Sequence, residues 1–339
     1  MRSTRKTVAI LHHSLVDLKK TYYSKEHFIA DDDTSDIIAF VKKTLEKHHY
    51  KVQEVKIIGK DISVIKHIKA DFIFNFVDSK SLEMRIARIL DRMSIPHSGS
   101  SYQALYVSNN KIKSKSMLVQ HRIPTPKYFF IRLKDRLTRS YIPSKFPLML
   151  KPAFEHASVG ISIHSVVTNF EQMKMHVKEM KKKHRQTIIC EEFIQGKELH
   201  VTVLEKQGET IALPPSEMMV EGSRKSNKWN IYGFREKWNK DTKMYKILHF
   251  VSPPRTIPPH VVEEIRRDAI RAFYAFGFKD YARFDVRYNP KTELWYFLEG
   301  NANPGICLQE DDAMTAAIRA YGMTLEDFIM QLVRNGLPS

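Results

Sequence analysis

The 339-residue chain has little cysteine: Cys190 and Cys307 are its only two, far apart and in no metal-type spacing. That leaves a reduced, cytoplasmic protein as the expectation. No window reaches the roughly 18 apolar residues of a membrane span. The basic start MRSTRKTVAILHH has too short an apolar run for a signal peptide. There is no internal repeat, no low-complexity tract, no zinc-finger spacing, no nucleic-acid recognition signature and no evident Ser–His–Asp set. Acidic residues are outnumbered, 38 against 55 basic, for a net charge of +17. Such an excess is open to a nucleic-acid or anionic-surface partner. The basic residues are scattered, however, and the one dense run, Lys181 to Arg185, ends a predicted helix, where cations are favourable in any case. Nucleic acid is therefore not the expected partner.

What the chain has is length for two or three domains and 42% hydrophobic residues to fill them. Thr7–Leu11 reads as a buried strand, residues 34–50 as a helix, Lys51–Ile58 as a strand, Asp61–Lys69 as a short helix, Asp71–Val77 as an apolar strand and Ser81–Met93 as a helix. That alternation predicts a parallel α/β domain of about one hundred residues, covered on both faces. Residues 12–33 lack a period and read as a loop, either plain surface or covering a ligand site. A helix follows the turn residues Pro96 to Ser101 and ends near His121; its lysines read as solvated. Leu148–Leu150 and Ile161–Ser165 predict antiparallel strands around a loop with Lys151 at its mouth. The small residues Ala157, Ser158 and Gly160 would let backbone N–H groups approach phosphate. Residues 168–184 read as a helix, with strands at 187–194 and 198–204. The polar, aromatic stretch 221–246 reads as a long loop or lid, and residues 260–276 as a helix.

The most informative stretch is Phe284 to Gly305. Two strand-type runs flank the turn Asn289-Pro290-Lys291-Thr292. With facing residue numbers summing to about 582, Arg283, Asp285, Glu299 and Asn301 share a face, because side chains alternate with period two. Two carboxylates and an amide oxygen suit Mg²⁺. The plainer reading is a solvated face with an ordinary Arg–Asp pair.

The order of these pieces resembles the ATP-grasp superfamily, in its D-alanine–D-alanine ligase-like branch, from about Pro96 onward. The carriers are Phe146-Pro147-Leu148-Met149-Leu150-Lys151-Pro152 with Ser158-Val159-Gly160, and Cys190-Glu191-Glu192-Phe193-Ile194-x-Gly-x-Glu198. The others are Tyr281-Ala282-Arg283-Phe284-Asp285-Val286 and Leu298-Glu299-Gly300-Asn301-Ala302-Asn303-Pro304-Gly305. The resemblance implies an N-terminal α/β domain (1–107), a central ATP-binding subdomain (108–197) and a C-terminal grasp subdomain (198–339). It implies that Lys111 and Lys151 hold ATP phosphates, with Ser158 in the phosphate loop. Glu191, Glu192, Phe193 and Ile194 would form the adenine hinge, Glu198 would accept the ribose hydroxyls, and Lys237 would reach the γ-phosphate from the lid. Asp285, Glu299 and Asn301 would hold two Mg²⁺ ions (Mn²⁺ being admissible), with Arg283 beside the transferred group. Arg283 and Lys151 are the catalytic candidates. The implied reaction is ATP-dependent amide formation between small-molecule substrates, an amino acid or small peptide and an amine, through an acyl phosphate. A homodimer is also compatible.

Departures bear on the substrate. His12-His13-Ser14-Leu15 replaces the branch's Gly-rich turn and Glu. Asn75 to Lys80 replaces a His-Gly loop, and His156-Ala157 stands where Gly-Ser is usual. Glu310-Asp311 replaces a Ser-Leu pair that receives a carboxylate, and two acidic residues would repel one. The expectation is therefore a substrate pair other than two D-alanines. The acidic run Glu310-Asp311-Asp312 reads either as facing a cationic acceptor or as negative charge at a helix start. A kinase of a hydroxylated or phosphorylated small molecule, and a non-catalytic ATP-binding regulator, are the alternative functions.

Overall fold

Val8, Ala9, Ile10 and Leu11 are all fully buried, so the strand they form must be covered on both faces. In the computed structural model the described residues are 5–13, 35–79, 82–143, 145–220, 229, 231, 233, 234, 239 and 242–337. Strand β1 (Thr7–His13) is central in a parallel sheet, between β2 (Lys51–Ile57) and β3 (Phe72–Asn75). Val8 and Ile10 pack against Ile37, Val41 and Leu45 of α1 (Ser35–Lys47). Ala9 and Leu11 face the other way, onto Leu82 and onto Ile86 and Leu90 of α2 (Glu83–Leu90). The expected helix at 61–69 is only a 3₁₀ turn, Ser63–His67, which starts without a side-chain cap.

The single helix expected before His121 is two, α3 (Tyr102–Ser108) and α4 (Lys111–Gln120). Asn110 makes the break, since its side chain accepts from the N–H groups of Ile112 (3.1 Å) and Lys113 (3.2 Å). A four-stranded sheet follows, in the order β4 (Tyr128–Ile131), β7 (Ile188–Glu192), β5 (Leu148–Pro152), β6 (Val166–Val167). Helix α5 (Phe170–His184) packs Met173, Val177 and Met180 against it. Cys190 lies in that same core, fully buried, its thiol pKa pushed up by burial. The strand expected at Ile161–Ser165 does not form. Ser162 caps a 3₁₀ turn at Ile163–Ser165, accepting from the His164 N–H, and pairing begins only at Val166.

The third sheet runs β11 (Leu248–Val251), β10 (Ser216–Val220), β8 (Lys197–Lys206), β12 (Tyr281–Asn289), β13 (Leu294–Ala302), with β9 (Glu209–Ala212) on β8. Helix α6 (Lys243–Ile247) precedes β11, and α7 (Pro259–Phe276) covers one face with Val261, Ile265, Ala269 and Phe273. The other face is polar and looks toward the four-stranded sheet. Helices α8 (Ala313–Ala320) and α9 (Leu325–Gly336) then return to the first sheet. Met314, Ile318, Phe328, Ile329 and Leu332 share one core with Val8, Ile10, Phe72 and Phe74. Among the described residues no helix is long and apolar enough to cross a membrane.

Asp280 sits where these units meet. It accepts from the Gly99 N–H (2.7 Å) and, more distantly, from Asn335 Nδ2 (3.4 Å). Burial pushes its carboxyl up to about 6, against the pull of Lys279 and the Gly99 N–H, with Glu205 adding to the rise. A carboxyl raised in the fold favours its protonated form there. Its stabilising contribution is therefore complete below pH 4 and lost as pH rises through about 6, a difference of roughly 2–3 kcal/mol. Asp280→Asn is expected to be more stable than the wild type in urea at pH 8 and to match it near pH 4. Equal stability at both pH values would contradict that.

Candidate active site

Lys151 and Glu191 are brought together by the pairing of β5 with β7. Met149 lies opposite Glu191, and Lys151, two residues on, shares its face. Lys151 Nζ is 2.9 Å from Glu191 Oε2, and Lys115 Nζ is 3.2 Å from Glu191 Oε1. All three groups are buried. Burial alone would lower the Lys151 pKa, but Glu191, with Glu299 and Glu198 beyond it, holds it above the ordinary lysine range. Burial likewise works against the Glu191 carboxylate, and the two lysines hold it below the usual range. The side chain of Glu191 thus faces the two lysines.

Lys111 is buried as well, not solvated. Its backbone N–H is tied to Ala153 O (3.0 Å), and its Nζ donates to Glu155 O (2.8 Å) and Glu299 Oε2 (2.6 Å). Between Lys151 and the 3₁₀ turn, Ala157, Ser158 and Gly160 all have positive φ, and the loop is closed on itself by Val159 N–H to His156 O and Ile161 N–H to Ser158 O, 3.0 Å each. Ser158 lines the cleft.

The hairpin carries the predicted face with a different register. Arg283 lies opposite Asn301 and Asp285 opposite Glu299, a sum of 584, and a β-bulge after Asp285 shifts Val286 to Phe297. The slip of two from the expected sum preserves the face, and the bulge takes up the odd residue. Arg283 Nε is 3.0 Å from Asp285 Oδ1, and Asn301 Nδ2 donates to the same oxygen at 3.3 Å. Burial opposes the Arg283 charge, while Asp285, with Asp312 and Glu299, more than offsets it and raises the pKa.

The two sheets enclose a cleft of about 660 Å³, part of it open to solvent. Lys151, Ser158, Glu191, Glu192, Phe193, Ile194, Glu198, Asp285 and Glu299 all line it, with Met149, Ile161, Ile231 and Leu298 supplying apolar wall. Lys237 lies outside the described residues, as do Tyr232 and Trp238. Trp229 packs edge-on to Phe193, 5.2 Å between centroids.

Three site residues were not singled out from the sequence. Lys115 is one. Arg287 is another: it donates to Ile194 O and Trp229 O (3.3 Å each), lies 3.5 Å from Glu198 Oε2, and stands over the Phe193 ring. His200 is the third, directly opposite Asp285 on β8 and buried, its Nε2 3.6 Å from Glu198 Oε1 and 3.8 Å from Asp285 Oδ1. Extending the same period-two alternation by one step, to 287 on β12 and from 198 to 200 on β8, would have found Arg287 and His200.

Gly196, between hinge and Glu198, has φ +150°, and a Cβ there would stand 2.0 Å from Tyr288 O. That obstacle is backbone and cannot swing away. Gly196→Ala is expected to destabilise the fold by about 3 kcal/mol or more, seen as a lower thermal midpoint; an unchanged midpoint would mean that the hinge is not fixed against β12.

The carboxylate–amide set fits a hard divalent cation in donor chemistry. Among the described residues no group of three or more His, Cys, Asp or Glu is assembled to hold a metal. Instead Lys111 and Arg283 occupy the carboxylates.

Two opposed antiparallel sheets with a cleft between them, lined by Lys151 and backed by buried Lys111 and Lys115, form the ATP-grasp arrangement. The chain belongs to the D-alanine–D-alanine ligase family: the family model described as D-ala D-ala ligase C-terminus matches residues 117–334. D-alanine–D-alanine ligase of Bordetella avium is 27% identical over 246 residues, covering 72% of this chain and 71% of that protein. The Polaromonas naphthalenivorans ligase is 28% identical over 258 residues, covering 73% and 72%. Among solved structures, D-alanine–D-alanine ligase from Bacillus anthracis complexed with ATP superposes with a TM-score of 0.74 at 17% identity, over 99% of this chain and 98% of that one. As a family member the protein is an ATP-dependent, ADP-forming ligase that joins a carboxylate to an amine.

The expectation of a pair other than two D-alanines is not borne out, since the relatives carry that very name. The acidic run explains part of the misreading. Glu310 is drawn off by Arg319 (2.6 Å), and Asp312 caps α8, accepting from Met314 N (3.0 Å) and Thr315 N (3.4 Å). Two of the three carboxylates, Glu310 and Asp312, are thus engaged around the start of α8.

Proposed function

We propose that the ligase joins an amino acid or small peptide carboxylate to the amine of a second amino acid, through an acyl phosphate made in this cleft. The observation that carries the reading is the convergence of Lys151, Asp285 and Glu299 on one cleft with an apolar wall, with Lys111 held on Glu299 and Arg283 and Asn301 held on Asp285 beside it. Met149, Ile161 and Leu298 suit a base, and Glu198 suits ribose hydroxyls. Lys151 and Lys111 balance phosphate charge. The substrate carboxylate attacks the γ-phosphorus and the bond to the β-phosphate oxygen breaks, releasing ADP. The amine then attacks the acyl carbon, the carbon–oxygen bond to phosphate breaks, and the extra proton on nitrogen ends on the released phosphate. Arg283 faces the oxygens on which charge develops in both steps, an electrostatic contribution set in place before reaction. Asp285, Glu299 and Asn301 are the residues to hold Mg²⁺, which neutralises phosphate charge when bound.

The test is phosphate release from Mg·ATP with amino acids singly and in pairs, D-alanine among them. Release that needs a particular pair, with a peptide product, supports the ligase and names its substrates. A phosphorylated hydroxyl product, or nucleotide binding without turnover on any pair, overturns it.

A further inference from the structure

Lys115 is completely buried and does not line the cleft. Its ammonium donates to Thr125 Oγ1 (2.8 Å) and to Phe297 O (3.3 Å), and it meets Glu191 at 3.2 Å. It follows Lys111 by four residues on α4, one helical turn, so both lysines point to the same wall. Burying an ammonium costs much more than burying an apolar chain. A simple tie between α4 and β13 does not require one.

The charge balance gives Lys115 a purpose. Glu191 alone would cancel Lys151, and the phosphate side of the cleft would face a neutral pair. With Lys115 behind, one carboxylate is shared between two ammonium groups, and the buried cluster keeps one net positive charge. We infer that Lys115 is a positioning residue that shares Glu191 with Lys151 and so leaves Lys151 charged toward the nucleotide phosphates. The inference rests on the reading of this cleft as the ATP site.

Glu191 on β7, Lys151 on β5 and Glu299 on β13 are the charged groups that bear on Lys115. Burial pulls its pKa down to about 8; Glu191 and Glu299 oppose that and Lys151 adds to it. The charge should therefore be lost across an accessible pH range, whereas an arginine in its place stays charged throughout.

The experiment measures binding of Mg²⁺ with a non-hydrolysable ATP analogue by calorimetry from pH 7 to 9.5. The proteins are the wild type, Lys115→Arg and Lys115→Met. The wild type is expected to lose affinity roughly tenfold as pH rises through 8 to 9. Lys115→Arg should hold its affinity over that range. Lys115→Met should bind roughly tenfold more weakly at pH 7, with little further change. A folded Lys115→Met that binds like the wild type overturns the inference. So does the same pH dependence in the wild type and Lys115→Arg, a comparison that decides the matter even if Lys115→Met does not fold. If the wild type fails to bind the analogue at all, the ATP reading of the cleft falls first, and the inference with it.

Discussion

Asp285→Asn is expected to cut ligand-dependent phosphate release by about a thousandfold, while the protein stays folded. The change is isosteric, and an amide oxygen at the Oδ1 position keeps acceptors for Arg283 (3.0 Å) and Asn301 (3.3 Å). What disappears is one negative charge from the hairpin face. A preorganised electrostatic group in an active site is commonly worth about two to three orders of magnitude in turnover, and the cation this face suits adds several kcal/mol of charge stabilisation on top. The variant should also bind Mn²⁺ more weakly in the presence of ADP, measured by electron paramagnetic resonance. Turnover within tenfold of the wild type would take the hairpin face out of the chemistry and return it to a structural Arg–Asp pair.

Lys151→Met is expected to weaken binding of an ATP analogue by about a hundredfold, again with a folded protein. Breaking a buried ion pair normally destabilises by about 3–5 kcal/mol, because the abandoned charge has no partner. Here Glu191 keeps Lys115 at 3.2 Å, so the loss of stability should be smaller, about 1–2 kcal/mol. Binding suffers more than folding because methionine supplies no point charge for phosphate oxygens. Calorimetry and thermal unfolding separate the two effects. Nucleotide binding as tight as in the wild type would mean that the phosphates do not sit at Lys151.

The strand–helix alternation of the first sheet and the polar hairpin face were legible because they depend on local alternation, whereas β9, β10, β11 and α6 had no such signal. The exact register was not legible either. The β-bulge after Asp285 arises from fitting β13 beside β12 while β12 also pairs with β8, and sheet context of that kind leaves no mark in the residues. Helix α4 shows a different failure. Its buried residues are Lys111, Ser114, Lys115 and Leu118, spaced as a proper inward stripe, but three of the four are polar. A search for hydrophobic period passes over such a stripe and leaves its lysines on the surface. The missing strand at Ile161–Ser165 has a related cause: apolar alternation was present, but the Ser162 cap and the left-handed residues before it had turned the backbone.

The return of α8 and α9 to the first sheet has a bearing on synthesis. Val8, Ile10, Phe72 and Phe74 are made early, but the partners that bury one side of them, Met314, Ile318, Phe328 and Leu332, are made some 240 residues or more later. At about 5–20 residues per second on the ribosome, that sheet waits on the order of ten seconds to a minute with this side covered only in part, by Ile37, Val41 and Leu45 of α1. Nascent chains are then open to self-association and to chaperone capture, and a truncation before residue 313 would leave that condition permanent.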